Sequence, residues 1–418
     1  MGKIKDERKR NKSKKLITQI VLGLGLTCIV ALTVVACTHD FGDSEAGGNP
    51  DSEIVYEESQ FQDTETQASE IVEEPDTMQI VMVGDMLMHD RIIETGLKED
   101  GTYNYDHLFE NVKDTFLNAD LAIADQETIM GGPEFGYSGY PRFNSPYELA
   151  DAEVKAGFDV LLFATNHVMD KGEKAIFNCM NYLDENYPDL GYVGINRSQQ
   201  EQDEEIYVYE ANGIKVAILN YTLHTNGISL PSDKPYLVNL LNEQKIRSHI
   251  RKAEEIADFT IICPHWGTEY NLGTDRDQAY WVNVFLDEGA DLVLGAHPHV
   301  IEPIEWVSDD EGNKMLVYYS LGNYMNGTDS TGHGVTNRMV GGIADVTIGR
   351  NEETGEVEVI EYGAIPIVCH VAEGTDFTVY YMEEYTEEMA KENLILLQDE
   401  EFSVELCESI FDQVWGEQ

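Results

Sequence analysis

The chain has 418 residues, 27 Lys and Arg against 78 Asp and Glu, and a formal net charge of −51. That length allows one large domain or two to three ordinary ones, and a hydrophobic content of 42% suffices for a sizeable core. A surface this acidic repels phosphate backbones at long range, which excludes nucleic acid as a partner.

The charge is unevenly distributed along the chain. Residues 1–15 carry +6, residues 16–36 carry none, and residues 37–77 carry −13, leaving −44 on residues 78–418. An uncharged, mostly apolar run of this length crosses a bilayer core as a helix. The basic block before it orients the N-terminus towards the cytoplasm, so everything after it is expected outside, on the extracytoplasmic face of the cell membrane. Two readings of the run stand side by side. Val34-Val35-Ala36-Cys37 resembles a bacterial lipobox, which would make Cys37 a lipidation site, and the long basic lead suits an uncleaved signal anchor. Residues 37–77 read as a disordered, self-repelling linker. Cys179, Cys263, Cys369 and Cys407 are widely spaced with no Cys-x-x-Cys pair, so buried free thiols are expected and a cysteine-built zinc site is not.

From residue 79 a pattern recurs in which a short apolar, β-branched run stops at a polar cluster. Residues 80–83 run into Gly84-Asp85, residues 121–124 into Asp125-Gln126-Glu127, and residues 160–164 into Thr165-Asn166-His167. Residues 260–263 run into Pro264-His265-Trp266-Gly267, residues 292–294 into Gly295-Ala296-His297-Pro298-His299, and residues 317–319 into Ser320-Leu321-Gly322-Asn323. Such runs predict buried strands. Helices are predicted at 147–156, 172–186, 242–257 and 275–288. The third has Ile246, Ile250, Ala253 and Ile256 on one stripe. Strands alternating with helices make an α/β protein whose ligand sits beyond the carboxyl ends of the strands, so all six clusters can converge. The acidic tail, 373–418, has Val404, Cys407, Ile410, Phe411 and Val414 at three-to-four-residue spacing after Ser403, and predicts a helical segment packed on the domain.

Taken singly, each cluster has an ordinary structural explanation: a turn, a cap, a surface charge or a core histidine. The set is more specific. It reads Asp, Asp/Glu, Asn-His, His, His-x-His, which resembles the ligand order of the calcineurin-like binuclear metallophosphoesterases. The wording of the motifs, among them Gly84-Asp85-Met86-Leu87-Met88-His89-Asp90, Ala164-Thr165-Asn166-His167, Pro264-His265-Trp266-Gly267-Thr268-Glu269-Tyr270 and Gly295-Ala296-His297-Pro298-His299, resembles the CapA family of capsule or poly-γ-glutamate synthesis proteins from residue 79 to 370.

The resemblance implies a metallophosphatase-like layered α/β/β/α domain over 78–372, preceded by a membrane anchor and acidic linker. It implies two divalent transition metals, Mn, Fe or Zn. Asp85, Glu127 or Asp125, and His299, with His89 as a further candidate, would hold one. Asn166, His265 and His297 would hold the other. His167 would be the catalytic acid, Asp170 and Glu269 would orient imidazoles, and Asn323 and Arg338 would line the substrate cleft. The family pattern has Asn where Asp125 stands, so the bridging carboxylate is open between Asp125 and Glu127. Three functions follow: a surface phosphoesterase, a capsule-assembly factor handling an anionic polymer beside other capsule-synthesis proteins, or a polymer-binding domain without catalysis.

Overall fold

The computed structural model describes residues 76–372 and 377–416. Residues 1–75, including the apolar run 16–36, Cys37 and nearly all of the acidic linker, lie outside the described residues. No helix among the described residues is long and apolar enough to cross a membrane.

The strands in chain order are β1 Thr77–Leu87, β2 Leu121–Asp125, β3 Val160–Leu162, β4 Gly191–Val193, β5 Tyr207–Ala211, β6 Ile214–Thr222 and β7 Phe259–His265. They continue with β8 Leu292–Leu294, β9 Ile301–Ser308, β10 Lys314–Leu321, β11 Asn323–Asn326, β12 Val340–Arg350, β13 Val357–Val371 and β14 Phe377–Tyr381. The longer helices are α1 Glu148–Ala156, α2 Glu173–Asn186, α3 Glu243–Ile256, α4 Arg276–Asp287 and α5 Val404–Trp415.

The result is a mixed α/β fold with two sheets. The first runs β14-β13-β12-β1-β2-β3-β4 with β11 also on β1, and the second runs β5-β6-β7-β8-β10-β9. Each sheet has a parallel centre, β1 to β4 in one and β6, β7, β8 and β10 in the other. Antiparallel strands flank those centres. The six apolar runs all fall in these parallel centres, where strands buried on both faces read as continuous hydrophobic stretches.

Helices α3 and α4 cover the second sheet. Ile246, Ile250, Ala253, Val282, Phe285 and Leu286 form one core with Ala217, Ile262, Val293 and Val317. The stripe on α3 differs from the predicted one at its end. Ile256 is 49% exposed, and His249 is buried instead, 2.9 Å from the Tyr221 hydroxyl. The tail also departs from a wholly helical segment: Phe377–Tyr381 is a strand paired with β13, as its aromatic and β-branched residues favour. Beyond it, α5 starts where expected, with the Ser403 hydroxyl capping Leu406 N–H at 3.1 Å. Cys179, Cys263, Cys369 and Cys407 are free and buried.

One buried side chain ties the sheets together near the site. Asn220 of β6 accepts a hydrogen bond from the Ala164 N–H beyond β3 at 2.6 Å, and donates to the Cys263 carbonyl of β7 at 2.8 Å. That fixes the end of β3, which carries Asn166 and His167, against the second sheet.

Candidate metal centre

Asp85 lies near the end of β1, where the pairing with β2 slips by one residue. Asp125 ends β2 and His265 ends β7. Glu127 follows β2, Asn166 and His167 follow β3, His297 and His299 lie between β8 and β9, and Asn323 opens β11. The chain approaches itself too closely here for side chains at two glycines. A Cβ on Gly84 would meet the Gly322 carbonyl at 1.9 Å, and one on Gly295 would meet the Tyr319 carbonyl at 2.1 Å. His297 and His299 have φ of 102° and 61°. A left-handed backbone is unfavourable for side chains of this size, so it needs support from its surroundings. Asp85 supplies part of it: its Oδ1 accepts the His297 N–H at 2.9 Å and its Oδ2 lies 3.1 Å from His299 Nδ1.

Asp85, Asp125, Glu127, Asn166, His265, His297 and His299 are all buried and brought together. His265 Nδ1 lies 3.0 Å from Asp125 Oδ2, while its Nε2 lies 3.1 Å from both Asn166 Oδ1 and His297 Nδ1. Glu127 has no hydrogen-bond partner on either carboxylate oxygen. Its Oε1 instead stands 3.8 Å from His299 Nε2, 3.9 Å from His265 Nε2 and 4.0 Å from His167 Nε2. These spacings are too long for hydrogen bonds. Electron-pair donors gathered around a common point beyond hydrogen-bond reach leave room for a cation, since two ligands each about 2.1 Å from a metal stand roughly 3–4 Å apart. Two groups have ligand atoms within 4.8 Å of one another: Glu127 with His297 and His299, and Asp85 with Asp125 and His265. Contacts also run between these groups, with Asp85 3.1 Å from His299 and His265 3.1 Å from His297, the pairing implied by the resemblance.

The electrostatics point the same way. Burial, reinforced by the charges of Asp85 and Asp125, pushes the Glu127 carboxyl well above its ordinary range. Burial also raises Asp125 to about 6, against the pull of His265. Burial and the neighbouring imidazoles push His297 well below the ordinary histidine value, keeping it neutral with a lone pair to offer. Asp85 is also pushed up by burial, but the His299 and His265 interactions outweigh this and hold it low. A buried cluster of carboxyl groups and imidazoles is one that a divalent cation stabilises.

The remaining candidates surround this centre. His167 Nδ1 lies 2.7 Å from Asp170 Oδ2, and the same oxygen accepts the Phe143 N–H at 2.7 Å. Asp170 therefore orients His167, whose Nε2 faces Glu127. Asn323 holds His299: its Nδ2 donates to the His299 carbonyl at 2.9 Å, and its Oδ1 lies 3.1 Å from His299 Nδ1. His89 belongs to neither carboxylate–histidine group. It precedes the short helix Asp90–Gly96 without a side-chain cap hydrogen bond, its Nδ1 lies 3.3 Å from the Leu87 carbonyl and the Gly327 N–H, and it lines the cleft over the site. Glu269 is exposed on the cleft wall, and Arg338 lies in the same wall.

Four further residues reach the site and were not singled out from the sequence. Phe143 packs edge-on against both His89 and His167, at 5.4 and 4.6 Å between ring centroids. Asn226, at φ 47°, has its Nδ2 3.3 Å from His167 Nε2. His224 lies 5.6 Å from His297, ring to ring. Tyr270 lies under Arg338. His224 had a legible signal, since it follows the apolar run of β6 just as the six identified clusters follow theirs.

A family model for bacterial capsule synthesis protein PGA_cap matches residues 79–328. The capsule biosynthesis protein CapA of Bacillus anthracis is 28% identical over 281 residues, which are 65% of this chain and 65% of that protein. The PGA biosynthesis protein CapA of Bacillus subtilis (strain 168) is 26% identical over 273 residues, 60% of this chain and 63% of that one. The aligned region thus spans less than two thirds of either relative. Among solved structures, a 5'-nucleotidase precursor from Thermus thermophilus aligns with 70% of this chain and 54% of its own length, at 15% identity and a TM-score of 0.42. A hypothetical protein from the same organism aligns with 69% of this chain and 98% of its own, at 16% identity and a TM-score of 0.40.

Proposed function

The chain belongs to the bacterial capsule synthesis protein family PGA_cap, and from that premise we propose that it is a membrane-held, extracytoplasmic hydrolase acting on a capsular polymer, poly-γ-glutamate or a phosphoester-linked chain. The observation that carries the catalytic part is Glu127, a fully buried carboxylate with both oxygens unpaired at the centre of three imidazoles. Asp85, Asp125, Glu127, Asn166, His265, His297 and His299 would hold two divalent transition metals. Bound there, the metals would supply Lewis-acid polarisation of the scissile group and an activated water.

The chain's own residues supply the rest. Asp85 and Asn323 hold His299 from two sides, and Asp125 holds His265, so these imidazoles need little reorganisation to act as ligands. His167, oriented by Asp170, presents Nε2 to the cleft, where a proton on it can pass to the leaving group. Asp170 stabilises the imidazolium before the transfer. Phe143, packed on His167, keeps water from that face.

The two-sheet frame is read as the α/β/β/α layering of the metallophosphatases over 78–372, with 373–418 packed upon it. The membrane part rests on the charge pattern of residues 1–77: a basic cytoplasmic stretch, an anchor at 16–36 or a lipid on Cys37, and an acidic linker. The test is metal content with activity on the full chain in detergent. About two equivalents of metal and metal-dependent cleavage of a phosphodiester or of a γ-glutamyl polymer are expected. Metal content no higher than that of a His297→Ala, His299→Ala double variant would overturn the reading.

A further inference from the structure

The cleft over His167 and His299 has a volume of about 620 Å³, and Arg338 stands in its wall. Arg338 belongs to the short 3-10 turn Val335–Met339. Its guanidinium lies 3.5 Å over the Tyr270 ring, and its Nη1 donates to the Thr328 hydroxyl at 3.3 Å. Its Nε is buried without a hydrogen-bond partner. Arg91, Arg197, Arg247, Arg251 and Arg350 each hold a carboxylate at 2.5 to 3.2 Å. Arg338, half-buried in a chain with 78 acids to 27 bases, pairs with none among the described residues. Taking a cation out of water without an anion is costly, and the cost is recovered when a ligand supplies the anion.

The position of Arg338 is fixed with respect to the candidate metal centre. Asn323 Nδ2 donates to the backbone carbonyls of both His299 and Arg338, at 2.9 and 3.0 Å. A group held by Arg338 is therefore placed in register with one presented to His299. The other charged side chains of the wall are acidic: Asp90, Glu269 and Asp329, the last held by Arg91 at 2.8 Å.

We propose that Arg338 binds one carboxylate of the substrate beside the bond presented to the histidine cluster, and that the acidic wall limits the cleft to a single such group. It then takes the amino end of a γ-glutamyl chain, whose terminal residue carries one carboxylate, rather than an interior stretch or the carboxyl end, whose terminal residue carries two. This rests on the reading that the site acts on a γ-glutamyl polymer. A guanidinium fork matches a carboxylate with two parallel hydrogen bonds, and stacking on Tyr270 sets the plane of that fork. A carboxylate carries one charge where a phosphate monoester carries up to two, and Asp90 and Glu269 penalise the second. The same penalty falls on each additional carboxylate of a polymer interior.

The test is calorimetric binding to the full-length protein in detergent after EDTA treatment, with tri-γ-glutamate, long poly-γ-glutamate and inorganic phosphate as probes. Arg338→Gln is expected to weaken tri-γ-glutamate about tenfold or more, and Arg338→Lys to weaken it less, since charge stays and the fork is lost. Glu269→Gln, on the exposed wall, is expected to tighten it severalfold. Long polymer is expected to bind with the stoichiometry of its amino ends.

Unchanged affinity in a folded Arg338→Gln protein overturns the proposal, as does phosphate binding that depends equally on Arg338, or a stoichiometry that grows with polymer length. Should Arg338→Gln not fold, unchanged affinity in Glu269→Gln overturns it instead. Binding here is read without metal. Absence of cleavage by metal-loaded protein would therefore count against the hydrolase reading alone, and an Arg338-independent affinity against this proposal alone.

Discussion

Replacing Glu127 with Gln should raise stability without metal and shrink the stabilisation that metal gives. In metal-free protein the carboxylate is fully buried and unpaired, with its nearest imidazole nitrogens at 3.8 to 4.0 Å. Relieving a buried, unsatisfied charged group is worth roughly 1–3 kcal/mol, so the variant should melt roughly 1–4 °C higher in EDTA at pH 8. With metal at a hundred times the dissociation constant, wild type gains about 2.7 kcal/mol. A 10–100-fold weaker site would gain only about 1.4 to 0.4 kcal/mol under the same conditions.

The pH dependence has a definite sign. Glu127 is raised in the folded state, so between the unfolded carboxyl value and the folded one the native protein binds the additional proton. Stability of the metal-free protein therefore falls as pH rises through that window, by up to about 1.4 kcal/mol per pH unit for each such group. Asp125, raised to about 6, adds to the fall in the same direction. Scanning calorimetry in EDTA and in manganese, at pH 5 to 8, measures all of this. A Glu127→Gln protein that melts lower in EDTA, or gains as much from metal as wild type, would refute the reasoning.

Three other predictions follow the same geometry. Asp170→Asn should leave metal content unchanged and lower the rate of cleavage roughly a hundredfold, with an altered pH–rate profile, because the His167 ring loses its carboxylate partner; an unchanged profile would show that Asp170 does not act through His167. Glu153, on α1, is buried with both oxygens unpaired, and burial pushes its carboxyl well above the ordinary range. Glu153→Gln should therefore raise stability at pH 8 by roughly 1 kcal/mol and flatten its decline with pH, as read by urea denaturation. Burial pushes Cys179, Cys369 and Cys407 up to about 12 and Cys263 also well above its ordinary value. A thiol reagent at pH 8 should label none of these four until the protein unfolds, as counted by mass spectrometry.

Six strand ends were legible because parallel central strands are continuously apolar and stop abruptly where chemistry begins. The antiparallel flanks were harder to read. β12 to β14 alternate or mix their burial, and Phe377–Tyr381 sits in an acidic tail whose helical spacing, true of α5, says nothing about the strand before it. Ile256 illustrates the same limit on a helix, since periodicity predicts a stripe and only packing decides where it ends.

By itself the sequence determined which residue types can bind metal, their order, and their attachment to strand ends, because those features are local. Tertiary structure decided what the residues do to one another. It placed Glu127, rather than Asp125, as the unpaired carboxylate among the imidazoles, set His89 apart on the cleft wall, and brought Asp85 of one sheet against His297 and His299 beyond the other. It also brought in Asn226 and Tyr270, whose distance in the chain from their partners carries no local pattern. Spacing along a chain records which strand end a ligand belongs to, whereas the distance between two strand ends depends on how the sheets pack.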